Sequence, residues 1–397
     1  MGIILVIEVL RVKKCIVFIC ICCMFIVARS FISYSAISCS QEDRSRTETD
    51  FKNNDIDDYM KNFDYTEIQE VIDDADVEDF NFEKEVNNTL ESGDIEYGKW
   101  FDNIKNKFIF QLKSKKSMIV KIIFLILFSA IFTSFTQAID NSYISETGFL
   151  IVYMILMTTI FPIFKQIYNI GLSAITQIKN LIEVLVPTYT VASFIGTGIN
   201  TATAFSQITM LIVVIIEKVF IKIMLPLINV YLVVLITDNI SKTRCLYRLA
   251  ELIMSLIKWG NKAALGGITA IATIKKLIAP SIDITSKKMI GSGIKFIPYV
   301  GNGVESVKET IISAGYMIKN AMGGVSIITI ILLCLVPVVN LISYIVVYEL
   351  ITVVAEPIAD SRMVNAIKGI ANGGKLLLEV LVTSAILFII SIALLAS

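Results

Sequence analysis

The residues of this chain with the chemistry to act are few. Six charged side chains fall in or beside long apolar runs: Glu183, Glu217, Lys218, Lys222, Glu349 and Glu379. An acid or a lysine at the centre of a membrane helix costs about 2.5 to 3.5 kcal/mol, so such residues pair, reach an interface or line a polar path. Glu217 and Lys218 are adjacent, about 100° apart on a helix and badly placed to pair. Lys218 and Lys222 share a face with no acid between them, which asks for water or headgroups. Glu379 has Lys375 at i−4 as a local partner. Two readings stay open for this set: helix-end or interface placement, and a polar conduit or subunit contact.

Enzyme chemistry finds little support. The chain has no histidine, which removes the commonest general base and metal ligand. Cys15, Cys20, Cys22 and Cys23 lie in an N-terminal apolar run, with Cys39 just after it. Cys245 and Cys334 stand alone, so neither zinc spacing nor a disulfide framework emerges. "GIANGGKL" (369–376) has Gly369, Gly374 and Lys375 at P-loop spacing. Leu376 stands where Ser or Thr would hold magnesium, and no strand precedes it. "GNGVESVKET" lacks the third glycine and the strand–helix context of a dinucleotide fingerprint. The reading is no catalytic residue, no cofactor, no metal site and no nucleic-acid motif.

The elements that must position these residues follow from composition. Of 397 residues, 55% are hydrophobic and 18% charged, against about a quarter charged in soluble domains. Net charge is zero but segregated. Residues 41–100 carry 20 Asp/Glu against 6 Lys/Arg, and residues 101–397 carry 25 Lys/Arg against 14 Asp/Glu. The fold class expected is all-α: a polytopic transmembrane helical protein with a signal-like leader and an acidic, mostly disordered extracytoplasmic segment holding one or two short helices.

Residues 1–38 read as a signal peptide: Arg11, Lys13 and Lys14, an apolar run from Cys15 to Val27, then "SYSAISCS". An uncleaved anchor is the alternative. The acidic segment spans 39–98, and its carboxylates lack the spacing of a calcium-binding loop. Residues 99–117 form a basic amphipathic helix, with Trp100, Ile104, Phe108 and Leu112 on one face. It either lies in the membrane interface or precedes the first span as a short soluble helix. The polytopic domain, 118–397, has spans near 118–139, 148–164, 180–195, 202–221, 223–236, 259–277, 325–348 and 376–396. The pair 202–221 and 223–236 is expected to meet near Lys222 as a hairpin or a kink, because Pro226 interrupts the run. Orientation is contested. A cleaved leader puts the lysines at 113–121 outside the cytoplasm, against the positive-inside tendency that the basic loops 238–248 and 360–369 follow.

One stretch departs from the apolar rule. After Pro298, Gly301 and Gly303, a helix over 304–319 aligns Val304, Val307, Ile311, Gly315 and Ile318, with Glu305, Lys308, Glu309 and Lys319 mostly elsewhere. It is too polar to span and too apolar on one side to stand free. It lies in the interface or lines a cavity with other subunits.

The run "GIKFIPYVGNGVESVKETIISAGYMIKNAMGGVSIITIILLCLVPVVNLISYIVVYELITVVAEPIAD", Gly293 to Asp360, resembles the stage III sporulation protein AE family of endospore-forming bacteria. The "FIP-x-x-G" onset and the V/I-rich helix after it carry the likeness, and weaker similarity reaches back to about residue 118. The acidic segment is more acidic than the family pattern. The resemblance implies a non-enzymatic subunit of a multiprotein channel between mother cell and forespore, set in the mother-cell membrane that surrounds the forespore. It implies as partners the other stage III sporulation A-operon proteins and, across the gap, stage II sporulation protein Q. It assigns no catalytic residue. Self-association is left open, the lipid bilayer is the solvent, and a stand-alone secondary transporter or permease is the rival reading.

Overall fold

A computed structural model describes residues 65–74, 81–92, 113–137, 142–197, 201–240, 245–294 and 301–396. The expected signal peptide 1–38 and most of the 99–117 helix lie outside these residues. Everything regular among the described residues is helical. In chain order the helices are α1 (Thr66–Asp73), α2 (Phe82–Ser92), α3 (Lys116–Gln137), α4 (Ser142–Thr197), α5 (Thr201–Val219), a π-turn (Phe220–Met224), α6 (Leu225–Asp238), α7 (Tyr247–Ile294), α8 (Gly301–Ala355) and α9 (Ser361–Ala396).

Among the described residues, four runs are long and apolar enough to cross a membrane: Glu146–Thr188, Ile208–Asp238, Ala321–Ala355 and Ser361–Leu394. α3 covers most of the run at 118–139. Several segments read separately from sequence prove continuous. α4 takes in both 148–164 and 180–195, with Pro162 and Pro187 inside it. The runs at 202–221 and 223–236 form one path without a reversal. Lys222 sits in the π-turn, and Pro226 falls in the first turn of α6. Pro226 supplies no backbone N–H, and one missing bond just after the π-turn does not end the run. The 304–319 helix is likewise joined to 325–348 in α8. A glycine costs a helix only about 1 kcal/mol, too little to stop one whose flanks are apolar. The candidate at 259–277 lies inside α7.

The core is the α8–α9 hairpin. Residues from Ala321 to Cys334 and from Leu376 to Leu394 are buried almost continuously. Pro357 follows the end of α8, and Asp360 starts α9: its Oδ1 accepts from the Arg362 backbone N–H at 2.9 Å, capping the new helix. Gly369 and Gly373 let α9 approach α6. A Cβ at Gly369 would run into Leu235, and one at Gly373 would lie 3.1 Å from Leu232.

The acidic segment was expected to hold one or two short helices; two are seen among the described residues, and both are docked. Ile68, Ile72, Phe82 and Val86 are fully buried. α1 packs on α4 and α2 on α8. Gln69 Oε1 accepts from the Phe82 N–H at 3.0 Å, which ties the pair together. Burial pushes the Tyr65 phenol up, with Glu83 adding to the effect.

Candidate functional site: a buried carboxylate beside a polar seam

The outward face of α4 changes chemistry along its length. Ile151, Met154, Ile155 and Phe161 are exposed on it first. Lys165, Gln166, Asn169, Ser173, Asn180 and Glu183 are exposed on it next. At about 100° per residue these two sets fall on the same side of the helix. The opposite side, with Ile167, Ile175, Ile178, Leu181, Ile182 and Leu185, is buried throughout. One helix face is therefore apolar up to Phe161 and polar from Lys165.

Neighbouring helices continue this seam. Lys179 Nζ lies 2.6 Å from Glu183 Oε2, and Lys218 Nζ of α5 lies 3.5 Å from Glu183 Oε1. The acid missing between Lys218 and Lys222 in sequence is thus supplied across the fold by Glu183. Tyr344 of α8 donates from its hydroxyl to Gln166 Oε1 at 3.4 Å, and Lys115 Nζ sits 4.1 Å from the centre of the Tyr344 ring. Burial pushes the Lys115 ammonium down to about 8. At the acidic edge of the seam, Gln177 Nε2 donates to the Asp74 carbonyl of α1 at 3.3 Å.

Glu217 turns the other way, as its 100° offset from Lys218 requires. It is fully buried. Its Oε1 accepts a hydrogen bond from Ser384 Oγ of α9 at 2.8 Å, and Ser384 is itself fully buried. Its Oε2 has no hydrogen-bond partner. Cys334 of α8 is also buried. The π-turn begins three residues later, where the Leu225 N–H donates to the Phe220 carbonyl. Asn261 of α7 is buried with both side-chain amide atoms unpartnered. It follows Gly260, where an added Cβ would run into Met224 of the π-turn.

Two further clusters hold the bundle. Lys375 of α9 pairs with Glu349 of α8, across the hairpin, and donates to Asn372 Oδ1 at 3.2 Å. This corrects the local expectation for Lys375: its bonded acid is Glu349, because α9 folds back along α8 and brings that carboxylate to it. At the hairpin turn, Arg362 reaches Glu146 at 2.8 Å and Asp360 at 3.4 Å, and its guanidinium lies 3.4 Å from the centre of the Phe149 ring. Lys375, Asn372 and the glycines at 369, 373 and 374 are the residues of the P-loop-like string, and here they serve helix packing and an ion pair. Sequence reasoning missed Ser384, Asn261, Cys334 and the Arg362 cluster. A small polar residue inside an apolar run, as in "VTSAI", was the one local signal for Ser384.

A family model described as stage III sporulation protein AE matches residues 80–397. The chain belongs to the stage III sporulation protein AE family. The match takes in α2 and the whole helical body, further toward the N-terminus than the resemblance read from residue 118 onward. A curated relative, stage III sporulation protein AE of Bacillus subtilis (strain 168), is 19% identical over 296 residues, covering 74% of each chain. No solved structure matches the chain. Membership of this family implies a role in sporulation, and the four candidate crossings fit a multi-pass membrane protein.

Proposed function

We propose that the chain is a non-enzymatic subunit of a channel or secretion-like complex linking mother cell and forespore, set in the mother-cell membrane that surrounds the forespore and needed for forespore development. Its partners on this reading are the other stage III sporulation A-operon proteins and, across the intermembrane space, stage II sporulation protein Q. The observation that carries the reading is the polar face of α4 from Lys165 to Glu183, on a run apolar enough to span. Lipid does not solvate lysine, asparagine and glutamate along an exposed helix face, so this face asks for water or for another subunit. An assembly around an aqueous path supplies both.

Cysteine cross-linking in sporulating cells tests this. A full chain carrying Asn180→Cys, with its native cysteines replaced, is expected to form adducts with other channel proteins. Met154→Cys, on the apolar half of the same face, is expected to form none. Adducts that are absent at Asn180, or equal at both positions, would remove the reading. The stand-alone permease is favoured only by the buried Glu217, and it predicts solute flux by the purified protein in liposomes without partners.

A further inference from the structure

We propose that Glu217 is a proton-binding site within the bundle: the carboxyl is held as the neutral acid against Ser384, and it releases its proton when the helix rearranges at the π-turn and admits water. No lysine or arginine among the described residues pairs with it. Lys218, its neighbour on α5, points outward to Glu183, and Lys375 of α9 is taken by Glu349. Glu379 of α9 is half-buried. The group hydrogen-bonded to Glu217 is the Ser384 hydroxyl of α9. An ionised carboxylate fully buried beside such a partner carries an uncompensated charge, whereas a neutral acid leaves at most one orphaned hydroxyl, a far smaller penalty.

The hydrogen bond fits the neutral form. Oε1 takes the Ser384 hydrogen bond, which leaves Oε2, without a partner, as the oxygen to carry the proton. The path for release lies next to it. In the π-turn the backbone bond skips one residue further than in an α-helix, and Pro226 has no N–H to tie the chain just beyond it. Gly260 of α7 packs on the same turn, where an added Cβ would run into Met224. A buried carboxyl oxygen without a partner, three residues before a loosened turn, is what a rearrangement would hydrate.

Infrared difference spectroscopy on the full chain in lipid reads the proton directly. The carbonyl stretch of a protonated carboxyl is separate from the amide bands. It is expected in the wild type at neutral pH and lost in Glu217→Gln. An identical spectrum in the two would overturn the proposal. If Glu217→Gln does not accumulate, Ser384→Ala keeps the acid. It should move the band to higher frequency by removing the hydrogen bond to Oε1, and an unmoved band would sink the assignment. In D2O the wild-type band should shift downward with time as the proton exchanges, while a band that never shifts would rule out release. These outcomes do not depend on the channel reading, which the cross-linking tests separately.

Discussion

On α4, the side chains that point away from the bundle are Ile151, Met154, Ile155 and Phe161 in one half and Lys165, Asn169, Ser173, Asn180 and Glu183 in the other. The inward side is equally apolar in both halves. What differs is the outer solvent, and the helix itself sets a limit on it. At about 1.5 Å per residue, the 56 residues of α4 run to roughly 84 Å, against a hydrocarbon layer of about 30 Å. One helix of this length crosses more than one environment. The acidic helix α1 docks beside the polar half, at Gln177, which agrees with that half meeting water or protein.

Placing a charge on each half gives the largest contrast. Met154→Lys should cost about 3 kcal/mol of insertion free energy at a lipid-facing helix position, and Asn169→Lys close to nothing. Comparing membrane insertion of the two variants checks it, and equal losses would erase the distinction between the halves. Next in size is Arg362→Met, which strips the apolar half of its tie to the hairpin turn through Glu146 and Phe149. About 2 to 3 kcal/mol of stability should go with these charge-assisted contacts, read as a lowered unfolding temperature in detergent.

Gly373→Val tests the junction between the halves, since a Cβ there meets Leu232 at 3.1 Å and Phe164 at 3.3 Å. Overpacking of this kind should cost about 1 to 3 kcal/mol, and an unchanged unfolding temperature would show that α6 and α4 give way freely. A further test is a pH dependence at Lys115, beside the polar half. Its ammonium is depressed from 10.5 to about 8 in the folded chain. As pH falls from above 10.5, the unfolded chain takes up this proton first, so the Lys115 contribution to stability declines toward pH 8 and levels off below. Lys115→Met should flatten that slope, and a slope unaffected by the substitution would remove Lys115 as its source.

Much of the site's geometry was readable one helix at a time. The offset between Glu217 and Lys218 follows from the helical repeat alone, and it puts one residue inside and the other outside. The partners were not readable. Ser384, 167 residues from Glu217, and Glu349, 26 residues from Lys375, come into reach only when α9 folds back on α8 and α5 packs beside them. Local spacing proposed Lys375 with Glu379, and the hairpin chose Glu349. Segments read apart where polar residues interrupted an apolar run prove to be joined. Between 164 and 180, at Lys222, and between 319 and 325 the helix continues, because a backbone in an apolar environment keeps its hydrogen bonds wherever sterics allow.

The amino-acid sequence by itself determined the solvent and the secondary structure: apolar runs this long, with so few charges, need a bilayer and form helices there, since no other local structure satisfies every backbone polar group. It determined the acidic character of the segment that supplies α1 and α2 as well. Only the tertiary structure decided which apolar faces meet lipid and which meet protein, because hydropathy is the same for both. The windows of α8 and α9 are 67% buried and that of Ile208–Asp238 is 28% buried at nearly equal apolarity. Burial depends on neighbours brought from far along the chain, and a run of side chains carries no record of them.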